Sequence, residues 1–223
     1  RDYWEARIAK IPAFAWQARM ALAQHRTGEL VRWAESQKIQ PVLEAALADL
    51  KAGKRVIIFG DRIHESRLKS IPVTLPGPIE EISKALDKAG IPHGKIYGPG
   101  DKSQAVKDFQ SDKVKIVVAT GKSGGAGIDL DDVFGDRPRQ VHTMGLDFSA
   151  EVMDQMFGRV SRRNTASPAD FHVWQNSQSY GDARKTDVMD RKLRILRNIQ
   201  SGEDLDVSAF AEVAESGESI GML

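Results

Sequence analysis

The chain contains no cysteine, which excludes a disulfide framework and any zinc site built from thiolates. Aromatic residues make up only 7% of its 223 residues. No apolar run approaches the roughly 18 residues that a membrane-spanning helix needs. The formal net charge of +1 argues against a broad polycationic surface but allows local basic patches. We therefore expect a globular, intracellular protein, cytoplasmic or nuclear, with no membrane partner.

Apolar patterning divides the chain into three parts. Residues 1–52 predict a helical lead-in, because apolar side chains recur at helical spacing and Gly53 can end the last helix. Residues 53–176 alternate short β-branched runs with helical segments. Residues 177–223 predict a polar linker, a helix over 187–199 and an acidic tail. Because the chain does not start with methionine, we expect a piece of a longer protein or a processed one.

The central part predicts an α/β fold. One helix is expected to begin at Pro78 and to end at Gly90, and another to be capped by Asp101 or Ser103. Strands that alternate with helices need crossover connections, so we expect a doubly wound, mostly parallel sheet with helices on both faces. The apolar runs that predict strands are residues 56–59, 95–97, 114–119, 140–144 and 171–174.

The segment from Gln155 to Arg162 has the pattern Q-x-x-G-R-x-x-R. Arg159 and Arg162 are three residues apart and are expected on one side of a helix, with Gln155 on roughly the same side. A forked guanidinium suits a phosphate, and Gly158 lets a backbone or ligand come close. The pattern indicates an arginine-finger segment that completes a nucleotide site. An amphipathic helix with a solvated basic face explains it equally well.

A glycine-rich loop, residues 120–130, follows the strongest predicted strand. Ligands of parallel sheets bind beyond the carboxyl ends of strands, where glycines let backbone N–H groups approach phosphate oxygens. Thr120 and Ser123 offer hydroxyl donors and Lys122 a charge, which together can hold a nucleic-acid backbone without reading its sequence. Asp129 suits a ribose hydroxyl better than a phosphate. The alternative is a flexible turn in which Asp129 caps a helix.

Several familiar catalytic motifs are incomplete in this sequence. Gly121-Lys122-Ser123 is not a phosphate loop, because the first glycine of that loop would have to stand at Ile116. The Gly98/Gly100 pair lacks the third glycine of a dinucleotide fingerprint, and the histidines show no metal-ligand spacing. We therefore predict no metal site within the chain.

The two segments together resemble motifs V and VI of superfamily 2 helicases and translocases. Motif V corresponds to Thr120 with Gly127–Leu130, and motif VI to the Q-x-x-G-R-x-x-R pattern about 25 residues later. Val56–Phe59 resembles motif IV, the first strand of the second RecA-like domain, and Tyr97-Gly98 resembles the segment that precedes motif V. The resemblance covers roughly residues 54–175 and implies a RecA-like fold, to which the helices predicted from the apolar pattern add extensions at both ends.

Within that superfamily the chain is most similar to the strawberry-notch-like helicase C-terminal domain. The residues that carry this similarity are 123–130, the basic stretch 136–142, and 157–164. The last stretch differs from DEAD-box RNA helicases, because Arg162 is followed by Arg163-Asn164 rather than by a glycine-rich turn. This difference favours DNA over RNA.

The resemblance implies half of an ATPase site, the first RecA-like domain supplying the phosphate loop and the Mg²⁺ ligand. The partners would then be nucleic acid, ATP with Mg²⁺, and that first domain, and the fragment alone would be inactive. Arg163 is an alternative to Arg162 as the second arginine finger, because the register at a helix end is uncertain. The implied site residues are Arg159 and Arg162 as catalytic, Gln155, Gly127, Asp129 and Gly158 as nucleotide-binding, and Thr120, Lys122 and Ser123 as nucleic-acid-binding.

Two other functions fit the same residues. A RecA-like scaffold that binds nucleic acid or a protein without ATP turnover would equally lack a phosphate loop. A small-molecule enzyme of doubly wound fold could bind a phosphorylated substrate at Thr120. A phosphate-loop motif upstream of Arg1 would favour the motor over the scaffold.

Overall fold

The computed structural model describes residues 28–68, 72–121, 128–145, 149–162, 165–176 and 179–201. Predictions for the helices before residue 28 and for the acidic tail lie outside the described residues. Within the described ranges, a helical segment over residues 28–37 leads into a regular alternation of strands and helices.

A five-stranded sheet forms the centre of the fold, and its strands run in the order β4-β5-β1-β6-β7. Every neighbouring pair in it is parallel. Two further strands, β2 and β3, form a small antiparallel pair beside it. The bounds are β1 Arg55–Gly60, β2 Ser66–Arg67, β3 Thr74–Leu75, β4 Gly94–Ile96, β5 Ile116–Thr120, β6 Arg139–Thr143 and β7 Ala169–Val173.

Helices cover both faces of the sheet, as the alternation of strands and helices predicts. Val56 and Ile58 of β1 belong to one core cluster, and Ile57 and Phe59 belong to the other. The first cluster packs against α1 and α2, and the second packs against α3, α4 and α5. The bounds are α1 Ile39–Lys51, α2 Pro78–Lys88, α3 Lys102–Gln110, α4 Ala150–Gly158 and α5 Tyr180–Ser201.

Burial of both sheet faces explains why β1 and β5 are largely continuous apolar runs. All six residues of β1 and all five of β5 are buried. Each large aliphatic side chain buried in this way contributes about 1.5–3 kcal/mol relative to exposure. The edge strand β7 is half exposed and correspondingly more polar. The predicted doubly wound, parallel α/β sheet is confirmed.

Helix ends follow their sequence signals closely. Pro78 is the first residue of α2, and Gly90 follows that helix with φ +67°. Gly53 follows α1 with φ +84°, a conformation that residues with a side chain rarely adopt. Asp101, one of the two predicted caps, accepts a hydrogen bond from the backbone N–H of Gln104 at the start of α3.

The C-terminal helix is longer than predicted. It starts at Tyr180 rather than at residue 187, and it runs over 22 residues to Ser201. Its first turns are fixed by buried charges instead of an apolar stripe, since Asp182 and Lys185 are both buried. Among the described helices, α5 included, there is none with the length and apolarity to span a membrane.

Candidate functional site

Three neighbouring strands end at one edge of the sheet and define the place where a ligand of this topology binds. Thr120 is the last residue of β5, lies beside Gly60 of β1, and is buried. Thr143 ends β6 at the same edge. The loop that follows Thr120 contains Lys122, Ser123 and Gly127, which lie outside the described residues.

Helix α4 begins at this edge, after β6, and ends before the two arginines, whose turn is bonded through Leu130 to Arg139 at the opposite, amino end of β6. The Ser149 hydroxyl caps its start by accepting a hydrogen bond from the Val152 N–H. The helix ends at Gly158, and Arg159 is its C-cap. The predicted helix through Arg162 is therefore wrong in its last turn. Instead, the backbone N–H of Arg162 donates to the Thr165 hydroxyl at 2.6 Å.

Asp129 brings the two arginines together. Its carboxylate forms an ion pair with the Arg162 guanidinium, and Nη1 of Arg159 lies 3.8 Å from the same oxygen. The side chains are 58% exposed for Asp129, 31% for Arg159 and 36% for Arg162. Ion pairs at this exposure are worth about 0–1 kcal/mol, so a phosphate could replace the carboxylate at little cost. No helix follows Asp129 in residues 128–138, so it is not a helix cap.

Gln155 and Gly158 lie on the exposed side of α4. The Gln155 amide donates to Glu151 one turn earlier, at 3.1 Å. A Cβ atom added to Gly158 would meet nothing within 4 Å. Packing therefore does not require glycine there, and the surface beside Arg159 is open to a ligand. The structure thus assembles Asp129 with the two arginines and leaves Gln155 bonded to its own helix.

Gln110 and Arg139 hold the backbone of the Asp129 segment. Sequence analysis did not assign either side chain to this site. The amide of Gln110 donates to the carbonyls of Asp129 and Asp131, at 2.9 and 3.0 Å. Arg139 donates to the carbonyls of Leu130 and Asp131, both at 2.9 Å. Sequence analysis noted Arg139 only as part of a basic stretch, and no spacing rule pairs it with Gln110, 29 residues earlier.

Asp132, three residues after Asp129, is a structural carboxylate. It is fully buried and accepts hydrogen bonds from the Ser167 hydroxyl and from three backbone N–H groups. Burial alone would raise the pKa of Asp132, but these hydrogen bonds outweigh it and lower that pKa to about 2. The three backbone donors belong to Phe134, Gly135 and Arg137.

A buried charge cluster closes the carboxyl edge of the sheet, where β1 and β6 end. Lys38 forms an ion pair with Asp182 of α5 at 2.6 Å and donates to the Met144 carbonyl at 2.8 Å. Lys185 lies 3.8 Å from Asp61, the residue after β1. Burial lowers the pKa of Lys38, although the hydrogen bond to Asp182 opposes this shift. The cluster therefore ties both terminal helical segments to the strand ends.

Among the described residues, there is no group of three His, Asp or Glu side chains placed to hold a metal ion. The charged groups at the strand ends pair with one another instead, as Lys38 does with Asp182.

Comparison with known proteins identifies the family. The model of the helicase conserved C-terminal domain matches residues 37–164, more than half of the chain. None of the curated proteins matches the chain in sequence.

Several solved structures are similar to the chain. The C-terminal part of the Fun30 ATPase domain is 15% identical with a TM-score of 0.48, over 63% of this chain and 40% of that one. The Hef helicase domain of Pyrococcus furiosus is 17% identical with a TM-score of 0.47, over 67% and 28%. The RNA helicase Prp28 of Chaetomium thermophilum, bound to ADP, is 20% identical with a TM-score of 0.44, over 74% and 35%.

The chain thus spans well under half the length of each of these proteins. The family assignment rests on the match to residues 37–164, which contains the whole arginine segment and the Asp129 loop. Because this match covers more than half of its residues, the chain belongs to the family of helicase conserved C-terminal domains.

Proposed function

We propose that this chain is the second motor domain of an ATP-dependent superfamily 2 translocase acting on DNA, with Arg159 and Arg162 as its arginine fingers. The observation that carries the proposal is the convergence of both guanidiniums on Asp129, at the end of α4 and beside an open surface. Two cations held this close, with the exposed Asp129 carboxylate between them, form a site that a phosphate can enter.

The proposed chemistry is stabilisation of the transferred phosphoryl group. Negative charge spreads over the phosphoryl oxygens in the transition state, and a positioned arginine accelerates the reaction by roughly 10³–10⁵. Arg159 and Arg162 carry no nucleophile and no base, so the rest of the ATPase site belongs to the first motor domain. We expect that domain to hold Mg²⁺, which would neutralise charge on the ATP phosphates. This chain alone would then not hydrolyse ATP.

The remaining predicted residues have subsidiary roles. Asp129 would exchange its arginine partners for a ribose hydroxyl when the γ-phosphate draws the guanidiniums away. Gln155, with Gly127 and Gly158, would line the nucleotide beside it. Thr120, Lys122 and Ser123 would hold a nucleic-acid backbone at the carboxyl end of β5, where parallel sheets bind ligands.

The similarity to strawberry-notch-like domains rests on residues 123–130, 136–142 and 157–164. The preference for DNA rests on Arg163-Asn164, which follow Arg162 where DEAD-box RNA helicases have a glycine-rich turn. Stimulation of ATPase activity by duplex DNA and by RNA of equal length separates these substrates. Stronger stimulation by RNA would contradict the preference.

The experiment that tests the proposed function is steady-state ATP hydrolysis by the full-length protein that contains this chain, saturated with DNA. We expect Arg159→Ala and Arg162→Ala each to lower kcat by 100-fold or more, on the order of the contribution of an arginine finger. Arg194→Ala is the matched control, because Arg194 is exposed and pairs only weakly with Asp190 one turn away in α5. Unchanged turnover in the two finger variants would contradict the arginine-finger assignment, whereas no hydrolysis by the unmodified protein would indicate a scaffold without ATP turnover.

A further inference from the structure

Each backbone carbonyl of residues 129–131 accepts a hydrogen bond from a side chain. Gln110, the last residue of α3, donates from one amide nitrogen to the carbonyls of Asp129 and Asp131. Arg139, the first residue of β6, donates to the carbonyls of Leu130 and Asp131. The two side chains also bond each other, Arg139 Nη2 to Gln110 Oε1 at 3.0 Å. Three consecutive peptide groups are thus held by a pair of mutually bonded side chains.

Arg139 is unusually placed for an arginine. It is fully buried, and its guanidinium lies over the Phe109 ring, 4.6 Å from the ring centre. Burial lowers the pKa of Arg139 to about 10, and the nearby Asp132 carboxylate opposes this shift, so the side chain stays charged at neutral pH. A buried cation costs several kcal/mol unless it is well bonded. An apolar side chain such as that of methionine would fill most of this space without that cost, so what distinguishes Arg139 is its bonds to the 129–131 backbone.

The same segment is tied directly to the arginine turn. The Leu130 N–H donates to the carbonyl of Arg159 at 2.9 Å, while the Asp129 side chain pairs with Arg162. Whatever fixes residues 129–131 therefore fixes the backbone of one finger and the side-chain partner of the other. We propose that Gln110 and Arg139 are positioning residues that set the placement of Asp129, and through it the alignment of Arg159 and Arg162. This inference rests on the proposed function.

Gln110→Glu tests the inference with a minimal change of shape. A carboxylate keeps the acceptor for Arg139 but loses the amide that donates to the carbonyls of Asp129 and Asp131, and it faces those carbonyls with a negative oxygen. Gln40→Glu is the matched control, because Gln40 is exposed on α1, on the opposite face of the sheet, and bonds only Glu44 in the described structure. Gln110→Met, which removes the amide without adding charge, serves if the first variant does not fold.

The measurement is the DNA-stimulated ATPase of the full-length protein in a double-mutant cycle with Asp129→Ala. We expect Gln110→Glu to lower kcat about 10-fold and to change KM for ATP less than threefold, because misaligned fingers weaken binding of the transition state. In the Asp129→Ala background, the same change should lower kcat less than twofold. Gln40→Glu should behave as the unmodified protein in both backgrounds.

Two results would overturn the inference while leaving the proposed function intact. One is an unchanged kcat for Gln110→Glu when Arg162→Ala abolishes turnover. The other is an equal loss in both backgrounds, which would mean that Gln110 only stabilises the fold. If Arg162→Ala itself leaves kcat unchanged, the proposed function fails, and the inference fails with it.

Discussion

Asp129 and Asp132 are two carboxylates on one short segment, and their surroundings are opposite. Asp132 is fully buried and takes four hydrogen bonds from groups that cannot leave. Asp129 is 58% exposed, and its partners are two flexible arginines. The difference separates a carboxylate that builds the segment from one that can exchange ligands. The hydrogen bonds of Asp132 hold the segment rigid. They thereby position Asp129, which can still exchange its partners.

The largest effect on the free energy of unfolding should come from Asp132→Asn. An amide cannot accept all four hydrogen bonds, so one or more buried N–H groups lose their partner, at a cost of about 3 kcal/mol. Urea unfolding of the domain measures this loss. Asp136→Asn, at an exposed position in the same loop, is the control and should change the free energy of unfolding by less than about 0.5 kcal/mol. An equal effect at both positions would contradict the structural role of Asp132.

Acid should weaken the domain through the same carboxylate. The pKa of Asp132 is about 2 in the folded state against an ordinary 3.8, so its contribution is complete above pH 3.8 and is lost as pH falls toward 2. The loss is up to about 2 kcal/mol. The pH dependence of unfolding between pH 4 and 2 should therefore be shallower in Asp132→Asn. An unchanged slope would mean that other carboxylates control acid unfolding.

Asp129→Asn should change stability much less than Asp132→Asn does. Exposed ion pairs contribute little, so the free energy of unfolding should change by less than about 1 kcal/mol. The same change should lower the DNA-stimulated ATPase of the full-length protein about 10-fold, because the arginines lose their common partner. A large loss of stability with normal turnover would reverse the assigned roles of the two aspartates.

Much of the fold could be predicted because its determinants are local. Continuous apolar runs mark β1 and β5, and Pro78 and Gly90 mark the ends of α2. The β2–β3 pair could not be predicted, since two residues per strand carry no periodic pattern. The early end of α4 was missed because Gly158 is the only helix-breaking residue before the arginines. In α5 the first turns are held by buried charges such as Lys185, which do not look like a core stripe.

The candidate site was predictable only in part, for a related reason. The resemblance to helicase motifs V and VI implied one site for Asp129, Arg159 and Arg162, and the structure brings their side chains together. Gln110 and Arg139 contact that segment through backbone carbonyls, so residue type and spacing at those positions carry no signal. Such long-range contacts to peptide groups become visible only when the fold brings β6 and the end of α3 together.

The role of the arginines is decided by single-turnover hydrolysis of saturating ATP by the DNA-bound, full-length Arg162→Ala protein. Saturation removes ATP binding from the rate, so any loss belongs to the chemical step or to closure of the cleft. We expect the rate to fall by about 10³ while the Kd for ATP changes less than about tenfold. A rate within twofold of the unmodified protein would show that Arg162 is not an arginine finger.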